Sequence, residues 1–372
     1  MTASLYIHIP FCVKKCAYCD FESYPGIISD ADGYITRVLG EALDARKEFG
    51  ITGVSTVYIG GGTPSLLKPE QLKRLAGGLF ELFPPIKDAE ISMEANPGTL
   101  NEPLLRAALD AGINRLSIGV QSADDRLLKK IGRIHSFEDA RRSVMLAHDV
   151  GFGNISCDLM YGLPGQTLSQ LEDSIFLTTQ LEPVHISCYS LILEENTPLN
   201  QDAAAGRLVL PDEDTVCEMQ KRAIRQLEGF GFKRYEISNY AVPGYECRHN
   251  TVYWTGGDYL GLGCAAHSFI NGDRFSNPYY NEYMSGKQHV NRYTVKAAGR
   301  LEETLMLETR LTRGVSLNDI ALRFGENVKN KLTASAGQLK DLVEIKDGFL
   351  KLTEEGFMLH NAVVYKLIEA TE

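Results

Sequence analysis

The sequence predicts an α/β protein in which a partial (β/α)6 barrel precedes a small α+β domain that resembles a winged helix. Three observations support this architecture. Six short segments rich in β-branched and aromatic residues recur between residues 4 and 193, amphipathic segments separate them, and the last part of the chain changes to helices and one hairpin. Strands that alternate with helices build a parallel sheet from βαβ units. A doubly wound sheet is the alternative architecture, although the chain lacks a dinucleotide-binding fingerprint.

Polar or glycine-rich residues lie in or directly after the first five of six predicted strands. The strands are residues 4–10, 56–62, 90–97, 115–122, 155–164 and 185–193. After the fourth strand, apolar residues recur at spacings of three and four over residues 137–150, which predicts a helix. Because barrels of this kind carry their chemistry at the carboxyl ends of the strands, we expect the polar residues there to form one site.

The predicted boundaries divide the chain into three regions. Residues 1–235 form the barrel, residues 236–297 a connecting region rich in aromatic residues and glycine, and residues 298–372 the winged-helix-like domain. In this last domain the pattern predicts helices at 301–311, 316–324, 329–342 and about 354–369, and a hairpin that turns at Asp347-Gly348. Its acidic and basic side chains nearly balance, which favours a structural or docking role over DNA binding.

The composition is that of an ordinary globular protein. Of the 372 residues, 44% are hydrophobic and 23% are charged. The formal net charge of -10 argues against a general nucleic-acid binder. No apolar run approaches the ~20 residues of a membrane span, and the N-terminus lacks the pattern of a signal peptide. We therefore expect a cytoplasmic protein whose thiols are reduced.

Three of the eight cysteines, Cys12, Cys16 and Cys19, lie close together in the sequence. A zinc site would need a fourth ligand, for which His8 is the nearest candidate, but the second ligand pair typical of zinc sites is absent. A redox pair of Cys16 and Cys19 would leave Cys12 unexplained. An iron–sulfur cluster normally takes four thiolates, so three would leave one iron open to a ligand from outside the protein.

The Cys-x3-Cys-x2-Cys motif after the first strand, together with the "GGGTP" turn (60–64) after the second, resembles the radical S-adenosylmethionine (SAM) superfamily. The resemblance covers residues 4 to about 235. It implies a [4Fe–4S] cluster held by the three cysteines, with SAM on the open iron. A glycine-rich turn suits this role because glycine, which has no Cβ, lets the backbone approach a ligand closely.

Further motifs resemble the coproporphyrinogen III dehydrogenase branch of that superfamily. They are "YIHIPFC", "GGGTPS", "EANP", "GVQS" and "DLMYGLPGQT". Matched residue by residue, the resemblance implies SAM contacts from Tyr6, Tyr18, Gly61, Gly62, Thr63, Glu94, Gln121, Arg133 and Asp158. Glu94 and Asp158 are acceptors that suit ribose hydroxyls or an ammonium group, and Arg133 suits a carboxylate. The alternative makes Glu94 and Arg133 ordinary surface groups.

This branch contains oxygen-independent dehydrogenases and heme chaperones, and three features resemble the chaperones. Phe21 stands where the dehydrogenase has a further cysteine, only 11 residues precede Cys12, and "HNTVYW" (249–254) matches a His-Asn-x-x-Tyr-Trp motif of the chaperones. The resemblance implies a chaperone that binds heme and delivers it to membrane-bound hemoproteins such as respiratory enzymes, without coproporphyrinogen dehydrogenase activity. A dehydrogenase or another radical SAM enzyme is the alternative.

The last motif also suggests how heme would be held. His249 is a candidate axial ligand, and Tyr253 and Trp254 offer flat surfaces for a porphyrin face. The alternative is a loop in which Trp254 is a packing anchor, and His267 and Cys247 are further ligand candidates. We expect no nucleic-acid partner, and a homodimer and a peripheral membrane contact are compatible with this function. The sequence leaves open whether SAM is cleaved or the cluster serves assembly.

Overall fold

The computed structural model describes residues 1–287 and 289–371. The barrel half contains, in chain order, β1 (Thr2–Ile9), β2 (Phe11–Cys12), β3 (Tyr24–Pro25), α1 (Ala31–Phe49), β4 (Gly53–Gly61), α2 (Pro69–Leu82), β5 (Pro85–Ala95), α3 (Glu102–Asp110), β6 (Arg115–Gln121), α4 (Asp125–Lys130), α5 (Phe137–Val150), β7 (Ile155–Tyr161), α6 (Leu168–Thr179) and β8 (His185–Ser190).

The rest of the chain contains α7 (Pro198–Ala204), α8 (Glu213–Gly229), β9 (Lys233–Arg234), β10 (Asn239–Ala241), α9 (Arg248–Trp254), β11 (Tyr259–Leu262), β12 (His267–Ile270), β13 (Asp273–Ser276), α10 (Tyr280–Met284), β14 (Val290–Thr294), α11 (Ala297–Glu308), β15 (Val315–Ser316), α12 (Leu317–Phe324), α13 (Glu326–Gln338), β16 (Val343–Lys346), β17 (Phe349–Leu352), α14 (Glu354–Met358) and α15 (His360–Glu369). None of the described helices is both long and apolar enough to span a bilayer.

The predicted α/β fold class is confirmed, because the six expected strands form the centre of one sheet. The strand order of this 12-stranded sheet is β14-β13-β12-β11-β1-β4-β5-β6-β7-β8-β10-β9. From β11 through β1 to β8 neighbouring strands are parallel, as in a (β/α) barrel. Helix α5 has the bounds that its periodicity predicts. It begins at a capping box formed by Ser136 and Asp139 and ends at Gly151, whose φ is 117°.

Alternation along the central strands separates an apolar face from a polar one. Met93, Leu116 and Ile118 are buried in the main hydrophobic core with the residues of the covering helices. The residues that alternate with these three face the opposite side of the sheet. Among them, Glu94 of β5 is paired with Ser117 of β6. Since paired residues of neighbouring strands share a face, the concave side of the barrel is lined with polar side chains. This polar lining is where the candidate site forms.

Residues 236–297, which the sequence analysis treats as a connecting region, contribute five strands to the same sheet. β11 pairs in parallel with β1, so that Ile7 lies opposite Leu262. β12, β13 and β14 then extend that edge, and β10 pairs with β8 at the other edge. The region is therefore part of the barrel sheet, and the boundaries at residues 235 and 297 stay predictions.

The C-terminal helices pack around a three-stranded sheet in the order β15-β17-β16 and have their own hydrophobic core. The hairpin of β16 and β17 turns where the sequence predicts, with positive φ at Asp347 (53°) and Gly348 (80°). The last predicted helix is interrupted at Leu359, between α14 and α15. A bridge between Glu236 and Leu311 joins this domain to the barrel.

Candidate functional site

A cavity of about 580 Å³ at the carboxyl ends of the strands brings most of the predicted residues together. The predicted residues that line it are Cys12, Cys16, Tyr18, Cys19, Gly61, Gly62, Thr63, Glu94, Gln121, Arg133 and Asp158. Tyr6, His249, Tyr253 and Trp254 do not belong to its lining. Residues from five of the six central strands, β4 to β8, and from the cysteine segment therefore face one space.

The three cysteines lie on a segment that is tied to the barrel at several points. All three carry free, half-buried thiols. Cys12 Sγ lies 3.5 Å from Thr63 Oγ1, and Cys16 Sγ accepts from Arg133 Nη1 at 3.5 Å. The backbone N–H of Ala17 donates to Ile131 O at 3.0 Å. The thiols thus line the cavity on a segment that the residues after β4 and after α4 hold in place.

His8 hydrogen-bonds to the backbone that follows the cysteines, and Tyr6 hydrogen-bonds to His8. His8 Nε2 donates to Glu22 O at 2.7 Å, because a carbonyl oxygen only accepts, and Nδ1 then accepts from Tyr6 Oη at 3.0 Å. Both ring nitrogens are therefore occupied, and burial lowers the pKa of His8 so that the ring stays neutral. His8 offers no lone pair to a metal held by the cysteines, which removes the candidate fourth ligand of a zinc site. Tyr6 acts on the segment through His8.

The glycine turn packs directly against the cysteine segment. Gly62 N donates to Ile9 O at 2.8 Å. A Cβ atom on Gly62 would lie 2.7 Å from Phe11 O and 3.2 Å from Cys12 Sγ. Gly61 has a φ of 109°, and a Cβ there would lie 2.6 Å from the His8 ring. Only glycine fits at these two positions, so the backbone of the turn reaches the cavity without a side chain in the way.

Two carboxylates face the cavity below the turn. Glu94 accepts from Tyr58 Oη at 2.9 Å and from Gly61 N at 3.0 Å. Burial nevertheless raises the pKa of Glu94 to about 7. Both oxygens of Asp158 lie 3.2 Å from Ser117 Oγ, and burial raises the pKa of this carboxyl as well. The pair offers acceptors whose negative charge would be stabilised by a cationic ligand such as SAM.

Arg133 is held in place by a neighbour that the sequence analysis did not select. Its Nη2 donates to Asn96 Oδ1 at 2.8 Å and to Gly119 O at 2.7 Å, and Asn96 Nδ2 donates to Thr63 Oγ1 at 2.8 Å. The buried Nε has no hydrogen-bond partner among the described residues. Asn96 follows Glu94 by two residues and so lies on the same face of the strand, which is the signal that could have revealed it.

Gln121 is fixed in a strained conformation at the end of β6. Its φ is 67°, in the left-handed region that residues other than glycine seldom adopt. Its Oε1 accepts from Tyr189 Oη at 3.1 Å. Such strain persists only where the surroundings enforce it, and it is concentrated at ligand sites. Tyr189 also lines the cavity and is a second residue that sequence patterns did not reveal.

The donor set fits an iron–sulfur cluster with an exchangeable site. Three thiols face the cavity, and within the described part of the chain no group of three metal-binding side chains converges as a single ion requires. A zinc ion needs its ligands to meet at about 2.0–2.3 Å. A cubane keeps its thiolates apart, because each binds a different iron. Cys12, Cys16 and Cys19 would hold such a cluster, and the groups opposite them would hold its external ligand.

The structure buries the ring of His249, which lies on α9, against Thr56 of β4. Thr56 Oγ1 donates to Ser4 Oγ at 2.8 Å, so His249 Nδ1 must donate to Thr56, at 2.7 Å. His249 Nε2 then accepts from Tyr253 Oη at 2.8 Å. Burial lowers the pKa of His249 to about 3. In this arrangement no ring nitrogen is available to heme iron, so iron binding would first require the bond to Tyr253 to break.

The other heme candidates are distributed around α9. Trp254 is covered by the guanidinium of Arg310, which lies 4.3 Å from the ring centroid. Cys247 precedes α9, and burial raises the pKa of its thiol to about 12. His267 is exposed on β12, away from the cavity lining. The described contacts are those of a packed helix, and the heme roles of these residues stay predictions.

Comparison with known proteins agrees with this site. The model of the radical SAM superfamily matches residues 6–178, and that of the HemN C-terminal domain matches residues 296–359. A barrel of this fold with three cysteines above a glycine turn defines a radical SAM protein. A solved structure, the coproporphyrinogen III oxidase HemN of Escherichia coli, superposes with a TM-score of 0.84 over 98% of this chain and 89% of its own, at 24% identity.

Curated relatives define the family within that superfamily. The heme chaperone HemW of Bacillus subtilis (strain 168) is 38% identical over 97% of each chain. HemW of Escherichia coli (strain K12) is 42% identical over 72% of this chain and 70% of its own. The chain therefore belongs to the HemW family of radical SAM proteins, as the motifs of its sequence predict.

Proposed function

We propose that this protein is a cytoplasmic heme chaperone, which binds heme and delivers it to membrane-bound hemoproteins and carries a SAM-coordinated [4Fe–4S] cluster. The observation that carries the proposal is the full-length similarity to a curated heme chaperone, at 38% identity over 97% of both chains. Phe21, which is exposed at the cavity wall, agrees with it, because it stands at the position of the additional dehydrogenase cysteine. A homodimer and a peripheral contact with the membrane are compatible with delivery to membrane proteins.

The residues of the cavity have separate tasks in this proposal. Cys12, Cys16 and Cys19 bind the cluster. When bound, the cluster supplies an open iron for the amino and carboxylate groups of SAM. The backbone at Gly62 leaves room for SAM, and Glu94 stabilises its positive charge and accepts hydrogen bonds from it. The remaining SAM contacts, from Tyr18, Gly61, Thr63, Gln121, Arg133 and Asp158, are proposed from the same lining.

Heme transfer tests the proposed function directly. Anaerobically reconstituted protein is loaded with heme, separated from free heme, and mixed with vesicles that contain the apo form of a membrane-bound cytochrome. We expect the heme absorption band of the soluble fraction to decrease as that of the vesicles increases. The matched control is serum albumin loaded with the same amount of heme. Transfer no faster than from albumin would contradict a delivery function, even if heme is bound.

A further inference from the structure

Asn96 lines the cavity directly after β5, and its backbone is fixed on both sides. Its N–H donates to Ser65 Oγ at 3.2 Å, and its carbonyl oxygen accepts from Thr99 Oγ1 at 2.7 Å. Pro97 follows it and disfavours a helical backbone at this position. The side chain of Asn96 therefore extends from a fixed point at the carboxyl end of the strand.

The orientation of the Asn96 amide follows from the chemistry of its neighbours. A guanidinium can only donate, so the atom that faces Arg133 Nη2 at 2.8 Å is the amide oxygen. The amide nitrogen, which can only donate, then faces Thr63 Oγ1 at 2.8 Å. The Thr63 oxygen therefore accepts from Asn96, and the single hydroxyl proton of Thr63 remains available for another acceptor.

That acceptor is the sulfur of Cys12. Thr63 Oγ1 lies 3.5 Å from Cys12 Sγ, and a thiolate that binds iron has no proton, so the hydroxyl must be the donor. On the other side of the amide, Arg133 Nη1 donates to Cys16 Sγ at 3.5 Å. A continuous chain of contacts thus runs from one cysteine to the next in the order Cys12, Thr63, Asn96, Arg133, Cys16.

Hydrogen bonds to its sulfurs are among the factors that set the reduction potential of an iron–sulfur cluster. Because reduction adds negative charge, a donor stabilises the reduced cluster more than the oxidised one and so raises the potential. Without Asn96, the Thr63 hydroxyl would be free to rotate, and Arg133 Nη2 would keep only its bond to Gly119 O. The amide therefore holds both donors in the orientation that reaches sulfur.

We propose that Asn96 is a positioning residue for the cluster, which directs one hydrogen bond to Cys12 and another to Cys16 and thereby raises the reduction potential. The inference rests on the proposed function, because it requires the cluster. Asn96 is neither a ligand of the cluster nor one of the proposed SAM contacts. It controls how readily the cluster accepts the electron on which any cleavage of SAM depends.

Asn96→Asp tests the proposal with almost no change in shape. A carboxylate still accepts from Arg133 but cannot donate to Thr63, so the hydroxyl turns to the carboxylate and leaves Cys12. We expect the equilibrium constant for one-electron reduction to fall at least about tenfold, which lowers the potential by about 59 mV or more. The measurement is an EPR-monitored titration of the anaerobically reconstituted full chain with dithionite, without SAM, together with its iron and sulfide content.

Asn101→Asp is the matched control. It adds the same charge at the exposed N-cap of α3, where aspartate and asparagine are equally suitable, and should leave the potential unchanged.

Thr63→Val separates the hydrogen bond from the direct effect of the new charge at position 96. Valine has a similar shape but no hydroxyl, so this variant alone should lower the potential, whereas Thr63→Ser, which keeps the hydroxyl, should have the wild-type value. In the Thr63→Val background, Asn96→Asp should lower the potential by less than it does in wild type, because no hydroxyl is left to turn away from Cys12.

Two results would overturn the proposal: full iron with an unchanged potential in Asn96→Asp, or a shift of equal size with and without the Thr63 hydroxyl. If Asn96→Asp does not hold the cluster, Asn96→Ala, which adds no charge, is measured in the same cycle. It should also lower the potential more when the hydroxyl is present. Wild-type protein that holds no iron and sulfide would refute the proposed cluster itself, so this failure is distinguishable from a failure of the role of Asn96.

Discussion

Gly62 leaves no room for a side chain beside the cysteine segment. A Cβ atom there would lie 2.7 Å from Phe11 O, 2.9 Å from Ile9 O and 3.2 Å from Cys12 Sγ. Gly62 does not have a positive φ, so the effect of Gly62→Ala is steric. Since two of the three atoms are backbone, alanine must displace the strand that carries Cys12. Overpacking of this kind costs about 1–3 kcal/mol, which corresponds to a roughly 5- to 150-fold loss of SAM affinity if the site bears the whole cost.

The assay is calorimetric titration of anaerobically reconstituted protein with SAM, together with iron and sulfide content per chain. Gly77→Ala is the matched control, because Gly77 lies in α2 and a Cβ there would meet no atom within 4 Å. This control should stabilise the protein by about 0.5–1 kcal/mol and leave SAM affinity unchanged. If Gly62→Ala binds SAM as wild type does and holds full iron, the glycine turn does not shape the site.

Three further perturbations follow from the same contacts. Arg133→Gln removes a positive charge 3.5 Å from Cys16 Sγ, so the cluster should have a more negative potential in an EPR-monitored redox titration. SAM should bind more tightly as pH rises from 6 to 8, because Glu94 has a pKa of about 7 and its ionised form attracts the cation; in Glu94→Gln this dependence should be absent. For His249, the folded-state pKa of about 3 lies below the usual 6.5, so protonation favours unfolding and stability is lost as pH falls below 6.5. In urea titrations from pH 6 to 4, the free energy of unfolding should therefore fall less steeply in His249→Gln than in wild type. The difference in slope should be up to about 1.4 kcal/mol per pH unit.

For each of these three perturbations, a different outcome would contradict the prediction. An unchanged or more positive potential in Arg133→Gln would mean that the guanidinium does not act on the cluster. A pH dependence of SAM binding that persists in Glu94→Gln would belong to another group. If His249→Gln and wild type lose stability in parallel as pH falls, the ring is not buried in its neutral form, and a role for His249 at heme iron would gain support.

The central fold could be predicted from short stretches of sequence, because the apolar residues that form its strands and helices recur at regular spacings. The strand and helix segments of the barrel each show their own period, and α5 has the bounds that its period predicts. The cysteines and the glycine turn were recognisable because their chemistry depends on local spacing. These features put most of the predicted SAM contacts around one cavity.

Long-range contacts account for what the sequence did not reveal. β11 completes the sheet by pairing with β1, about 250 residues earlier in the chain, and no local pattern signals that partner. His249 is held by Thr56, 193 residues away, which made a buried ring look like a free ligand. Arg115 had a usable signal, because it alternates with Ser117 on one face of β6 and both residues line the cavity. The carboxylates that act on it lie on other strands, so their proximity appears only in three dimensions.

The measurement that tests the central claim most directly is a parallel anaerobic assay of the reconstituted protein. One sample follows heme uptake by its absorption band, and the other follows conversion of coproporphyrinogen III in the presence of SAM and a reductant. The account predicts stable heme uptake and no conversion. Failure to retain heme would contradict it. Conversion to protoporphyrinogen IX would also contradict it, and would make the protein a radical SAM enzyme of the related dehydrogenase type.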